Sequence, residues 1–142
     1  MNQPLPDQDE LDIVELRIPC KAEWVAVARL AAAAIASRMS FTIEEVEDVK
    51  LAVAEACTNV IQHAIGADHI DIRCESSPME LRVRVSDNGK GTRPEKIASR
   101  PLDDPQIGGL GVFLIRSLMD EVDYDVHPDR GTDLVMTKRL HL

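Results

Sequence analysis

Glu55 and Asn59 lie four residues apart in the stretch Leu51-Ala-Val-Ala-Glu55-Ala-Cys-Thr-Asn59-Val-Ile-Gln-His63-Ala. On a helix that spacing sets the two side chains side by side, one turn apart. A carboxylate beside a carboxamide on a rigid support has the chemistry of a general base next to a magnesium ligand. The same pair is also what an ordinary solvated helix face carries. Three further groups occur downstream. Asp87-Asn-Gly89-Lys-Gly91 directly follows an alternating stretch. An aspartate at a strand end can accept a hydrogen bond from an exocyclic amine, such as the adenine N6 amino group, and glycines beside it let backbone approach a flat ring. Read plainly, it is an Asp-Asn-Gly turn. Gly109-Leu-Gly111 opens an apolar run; free N–H groups and the positive end of a helix dipole suit phosphate there, while the bland reading is a hinge. Gly131-Thr132 precedes a final alternating run, where the hydroxyl could support a nucleotide pocket or simply close a turn.

The elements that must position these groups follow from periodicity. Val46, Val49, Val53, Cys57, Val60 and Ala64 recur at three- and four-residue steps, one apolar helical stripe. Glu55 and Asn59 are expected on the face opposite it. Thr42 with Glu45 three residues on makes a capping box that opens this helix, and Gly66 is a plausible C-cap after about Ile65. Upstream, Asp12 to Ile18 alternates as a strand that Pro19 ends at a sheet edge, and Ala22 to Met39 is an alanine-rich helix. Downstream, His69 to Cys74 and Glu80 to Val85 read as a hairpin. Thr92 to Gln106, with three prolines, is long for a plain connection and reads as a lid or disorder. A helix over Val112 to Met119 and strands over Val122–Val126 and Asp133–Leu140 complete the chain. The order predicts an α/β (α+β) two-layer sandwich: one mixed, mostly antiparallel sheet with helices on one face. Residues 1–11 read as a flexible tail and 12–142 as one domain with its lid at about 92–107.

Bulk properties narrow the function. The 142 residues carry a net charge of −9, which argues against non-specific nucleic-acid binding and against docking on an anionic membrane. The three cysteines, Cys20, Cys57 and Cys74, are scattered without a CxxC, which is neither a disulfide framework nor a zinc site. The N-terminus lacks cationic and apolar signal regions, and the longest apolar run is interrupted at Arg29, so a cytoplasmic protein is expected.

In order along the chain, Glu-x-x-x-Asn, Asp-x-Gly-x-Gly, Gly-x-Gly and Gly-Thr resemble the Bergerat (GHKL) ATP-binding fold, from about residue 12 to residue 140. Glu55-Ala-Cys-Thr-Asn59-Val-Ile-Gln-His63, Gly109-Leu-Gly-Val-Phe-Leu-Ile-Arg-Ser-Leu-Met-Asp-Glu-Val122 and Gly131-Thr-Asp-Leu-Val-Met-Thr-Lys138 are similar to the anti-sigma factor serine kinases of the RsbW and SpoIIAB kind. The resemblance implies ATP and Mg2+ as cofactors. It implies Asn59 as the magnesium ligand, Glu55 as the base for a partner's serine hydroxyl, and Asp87 as the adenine-recognising carboxylate, with Gly89 and Gly91 at the pocket floor. Gly109 and Gly111, with Leu110 and Val112 between and after them, would meet the phosphates, and Thr132 closes the set. His63 and Thr58 agree with the family and would line or support the pocket; for His63, a packing or capping role competes. Arg93, Lys96 and Arg100 are equal candidates for a lid cation. The partners implied are an alternative sigma factor and a STAS-domain anti-anti-sigma factor, with the protein itself a homodimer. Two other readings stay open. One is an ATP-binding module that sequesters a regulator without phosphoryl transfer. The other is a switch kinase of the RsbT kind acting on a scaffold.

Overall fold

The computed structural model describes residues 11–90, 109–127 and 130–141. The expected tail, Gly91 and the lid at 92–107 with Arg93, Lys96 and Arg100 lie outside these residues, save Leu11 at the tail's end. The elements run β1 (Asp12–Pro19), a 3-10 turn (Ala22–Trp24), α1 (Val25–Ser37), α2 (Ile43–His63), β2 (His69–Ser76), β3 (Glu80–Asp87), α3 (Gly109–Leu118), β4 (Glu121–His127) and β5 (Gly131–Arg139).

The capping box opens α2 as the sequence predicts. The Glu45 N–H donates to the Thr42 hydroxyl at 3.1 Å, and the Thr42 N–H donates to Glu45 Oε1 at 2.9 Å. The backbone N–H of Thr42 holds the Glu45 carboxyl below its usual range. From there Val49, Val53, Cys57 and Val60 point into the core, joined by Ala52 and Ala56. Beside it, α1 buries Ala28, Ala32 and Ala36 completely, and side chains this small let the two helices approach closely. The helix stops at His63, two residues short of the sequence expectation, because Ala64 is extended (φ −78°, ψ 124°). Gly66 does adopt the left-handed conformation, φ +72°, in the turn beyond.

The sheet order is β1-β2-β3-β5-β4. The mixed component expected from the sequence is missing among the described strands: every pairing is antiparallel. Its two faces differ as strict alternation requires. Ile70, Ile72 and Cys74 of β2, Leu81, Val83 and Val85 of β3, and Leu134 and Met136 of β5 are buried. The opposite face carries ion pairs such as Arg17–Asp71 and Arg73–Glu15. All helices therefore cover one face. Full burial of Ile70, Leu81, Ile115 and Met136 contributes about 1.5–3 kcal/mol for each side chain. In the hairpin β4–β5, the apolar β5 takes the interior position against β3, and the acidic β4 (Glu121, Asp123, Asp125) takes the edge. Charged residues on an edge strand discourage further pairing there.

Candidate functional site

The C-terminal ends of α2 and β3 meet, and the loops that leave them are tied together. The Lys90 N–H donates to the Ile65 carbonyl at 2.8 Å, and Asn88 Oδ1 accepts from the Asp68 N–H at 2.9 Å. Beyond the end of α2, a cleft lies between the helix and the sheet.

Asp87, the last residue of β3, is 7% exposed. Its Oδ1 accepts from the Gly89 N–H at 2.8 Å, and its Oδ2 accepts from the Thr132 hydroxyl. A carboxylate offers about four lone-pair directions, so acceptor capacity remains. None of the described cationic side chains forms a salt bridge with Asp87. A buried carboxylate held by neutral donors suits a further neutral donor, such as an amine, better than it suits a phosphate. Gly131 makes the close approach possible. It sits at φ +103°, and a Cβ there would lie 2.1 Å from the Asp87 carbonyl oxygen and 2.8 Å from Oδ1. The sequence motif Gly131-Thr132 is thus a steric allowance followed by a hydrogen-bond donor.

The cleft is narrow, with a cavity volume of about 10 Å³. Its polar lining is Asn59, Asp87, Thr132 and Tyr124; its apolar lining is Ala56, Val60, Ala64, Val85 and Leu134. Three of the sequence candidates, Asn59, Asp87 and Thr132, are therefore brought together. Asn59 does not lie opposite the apolar stripe as expected; it flanks the stripe, next to Ala56 and Val60, with its Nδ2 buried and without a hydrogen-bond partner among the described residues. The two ends of a carboxamide exchange by a half-turn, so this side chain has unspent polar capacity at the cleft wall. That fits a magnesium ligand. No group of three or more His, Cys, Asp or Glu among the described residues could hold a metal by itself. Magnesium commonly takes one or two protein oxygens and completes its shell with water and phosphate, so Asn59 is a sufficient protein anchor.

The other candidates fall as follows. Glu55 is half-buried, one turn before Asn59 on α2, and does not line the cleft. His63 is the exposed last residue of α2 and does not line it either; Thr58 is half-buried. Gly89 packs tightly, since a Cβ would lie 2.9 Å from the Ile65 carbonyl oxygen and 3.0 Å from Asp87 Oδ1. Gly109, Leu110 and Gly111 form the first turn of α3, and Val112 follows, buried. Tyr124 was not among the sequence candidates. Alternation along Val122, Tyr124 and Val126 puts it on the helix-covered face, where it pairs across from Leu134. Burial raises the Tyr124 phenol above its ordinary value; the Thr132 hydroxyl works against this, and the Asp87 charge adds to it.

A half-apolar cleft with a buried acceptor at its floor and an unspent amide at its wall defines a nucleotide-binding module. Residues 18–138 match the family of the histidine kinase-like ATPase domain. The chain is 42% identical over 141 aligned positions to the serine-protein kinase RsbW of Listeria monocytogenes serotype 4a (strain HCC23), covering 92% of this chain and 88% of that one. To the serine-protein kinase RsbW of Bacillus thuringiensis (strain Al Hakam) it is 37% identical, covering 92% and 86%. Among solved structures, the RsbU and RsbW domains of a Mycobacterium tuberculosis protein share the fold, with a TM-score of 0.69 at 14% identity over 90% of this chain and 32% of that one. The histidine kinase domain of a blue-light-activated histidine kinase from Erythrobacter litoralis has a TM-score of 0.55 at 26% identity, over 87% of this chain and 62% of that one. The chain belongs to the histidine kinase-like ATPase family and, within it, to the RsbW serine-protein kinases. Among the described residues no helix is long and apolar enough to cross a membrane.

Proposed function

We propose that this protein is a cytoplasmic anti-sigma factor that binds ATP in the cleft between α2 and the sheet, holds an alternative sigma factor, and phosphorylates a serine of a STAS-domain antagonist. The observation that carries the reading is the pairing of Asp87 with Asn59 across one cleft: a buried acceptor for an adenine amine that none of the described cations pairs with, and a carboxamide whose nitrogen has no partner among the described residues. Asp87 accepts from the exocyclic amine, and Thr132 and the Gly89 N–H fix the orientation of the carboxylate. Asn59 would hold magnesium together with the phosphates; the ion, when bound, neutralises their charge. The first turn of α3, with Gly109 and Gly111, carries N–H groups without helical partners, which would suit the phosphates.

Glu55 takes the proton from the partner's serine hydroxyl as its oxygen bonds the γ-phosphorus and the bond to the β-phosphate oxygen breaks, leaving ADP. Its place one turn before Asn59, outside the cleft lining and half-buried, suits a base that meets a second polypeptide and leaves the nucleotide alone. Phosphoryl transfer of this kind rests on positioning and charge neutralisation more than on covalent chemistry. Family membership supports the sigma-factor and antagonist partners and a homodimer. Radiolabelled ATP with magnesium and small STAS proteins encoded near this one tests the reading. Transfer to serine by the wild type, lost in Glu55→Gln with ATP affinity retained, is the expected result. Equal transfer by Glu55→Gln removes Glu55 as base, and ATP binding with no transfer to any such protein leaves a sequestering module.

A further inference from the structure

Tyr124 is the chain's one tyrosine, and it stands on β4, an edge strand, with its ring in the cleft wall beside Leu134 and Val85. Tyr124 lines the same cleft as Asp87 and Thr132 and stands two residues along β4 from Val126, which pairs with Thr132, so the register sets its ring on the wall next to the buried carboxylate. Resting on the ATP reading above, we propose that Tyr124 reads the base: its hydroxyl donates a hydrogen bond to the ring nitrogen next to the amine that Asp87 accepts.

The argument is one of donor and acceptor order. An ionised carboxylate only accepts, whereas a phenol can donate. Adenine presents a donor amine next to an accepting ring nitrogen, which matches Asp87 and Tyr124 in turn. Guanine presents a carbonyl next to a ring N–H, so both contacts are reversed. A site built from paired hydrogen bonds rejects the reversed pattern because its own buried groups are left without partners. Suppression of phenolate by burial and by the Asp87 charge keeps the donor in place. Aromatic stacking adds area without selecting a base, so the selection comes from the hydroxyl.

The test uses the whole protein with magnesium and ATP, GTP or 1-deaza-ATP, which lacks the ring nitrogen. The wild type is expected to bind 1-deaza-ATP about fivefold to tenfold more weakly than ATP, the worth of one neutral hydrogen bond. Tyr124→Phe is expected to lose the same factor for ATP, to bind 1-deaza-ATP no worse than ATP, and to narrow the gap between ATP and GTP. ATP binding should also shift the near-ultraviolet absorbance of the single tyrosine. Wild-type ATP affinity in Tyr124→Phe, or equal binding of ATP and 1-deaza-ATP by the wild type, overturns the role of Tyr124 and leaves the ATP site standing. If the wild type binds neither ATP nor GTP, the ATP reading and the role of Tyr124 fall together.

Discussion

Gly131→Ala isolates the contact on which the cleft floor depends. At φ +103° an L-residue incurs about 1–2 kcal/mol of backbone strain. The added methyl would also sit 2.1 Å from the Asp87 carbonyl oxygen, 2.9 Å from its carbonyl carbon and 2.8 Å from Oδ1. Two of these atoms are backbone, so β3 and β5 must separate, and overpacking of this sort costs about 1–3 kcal/mol. The sum is about 2–5 kcal/mol, a large fraction of the roughly 5–15 kcal/mol that holds a domain folded. For a domain of this size it lowers Tm by about 6–15 °C. Gly66→Ala is the internal control: its φ is +72°, but nothing lies within 4 Å of the new Cβ, so only the backbone term applies. Urea unfolding of both variants, followed by circular dichroism, should show Gly131→Ala losing at least about 1 kcal/mol more than Gly66→Ala. Equal losses in the two variants would refute the steric argument. Since the clash is with Asp87, Gly131→Ala should also weaken ATP binding, and Gly66→Ala should not.

Asn59→Ala removes a buried amide nitrogen that has no partner among the described residues, so apo stability should change by less than about 1 kcal/mol while magnesium-dependent ATP binding falls at least tenfold, as read by calorimetry. Thr42→Ala removes the hydroxyl arm of the capping box, leaving the backbone N–H of residue 42 on Glu45, and should cost about 1 kcal/mol in urea unfolding, with ATP affinity unchanged. Burial pushes the Cys57 and Cys74 thiols up to about 12 and about 11 from an ordinary 9.0. Above pH 9 the unfolded chain therefore loses protons that the folded chain keeps, and stability should fall as pH rises from 9 toward 12; Cys57→Ala should lessen that slope. With a native-state thiol reagent near neutral pH, Cys20, the partly exposed one, should react well before the other two.

Local signals carried much of the architecture. Thr42 and Glu45 announced the start of α2 because the capping box is written within four residues. Strict alternation from Glu80 to Val85 announced β3 for the same reason. The end of α2 was misjudged because the chain turns extended at Ala64 into a loop that the Lys90 N–H holds by the Ile65 carbonyl, a tertiary tie that no local pattern records. The place of β5 between β3 and β4 was also not assigned, although a clue was present: β4 is the acidic strand of its hairpin and β5 the apolar one. In the site, Asn59, Asp87 and Thr132 were legible as residue types in a family-like order. The turn of Asn59 toward the cleft was not, because it depends on how α2 rolls against the sheet. Tyr124 escaped notice because it joins Asp87 in one cleft only through two successive strand pairings, β4 with β5 and β5 with β3.

Calorimetric titration of Asp87→Asn with ATP and magnesium tests the central claim most directly. The substitution keeps the volume and the oxygen that accepts from the Gly89 N–H, and the Thr132 hydroxyl can turn to accept from the new amide, but one acceptor oxygen becomes a donor where the base amine must sit. ATP affinity should drop about 100-fold or more while the unfolding midpoint moves little. Wild-type ATP affinity in Asp87→Asn would contradict the assignment of this cleft to the nucleotide base.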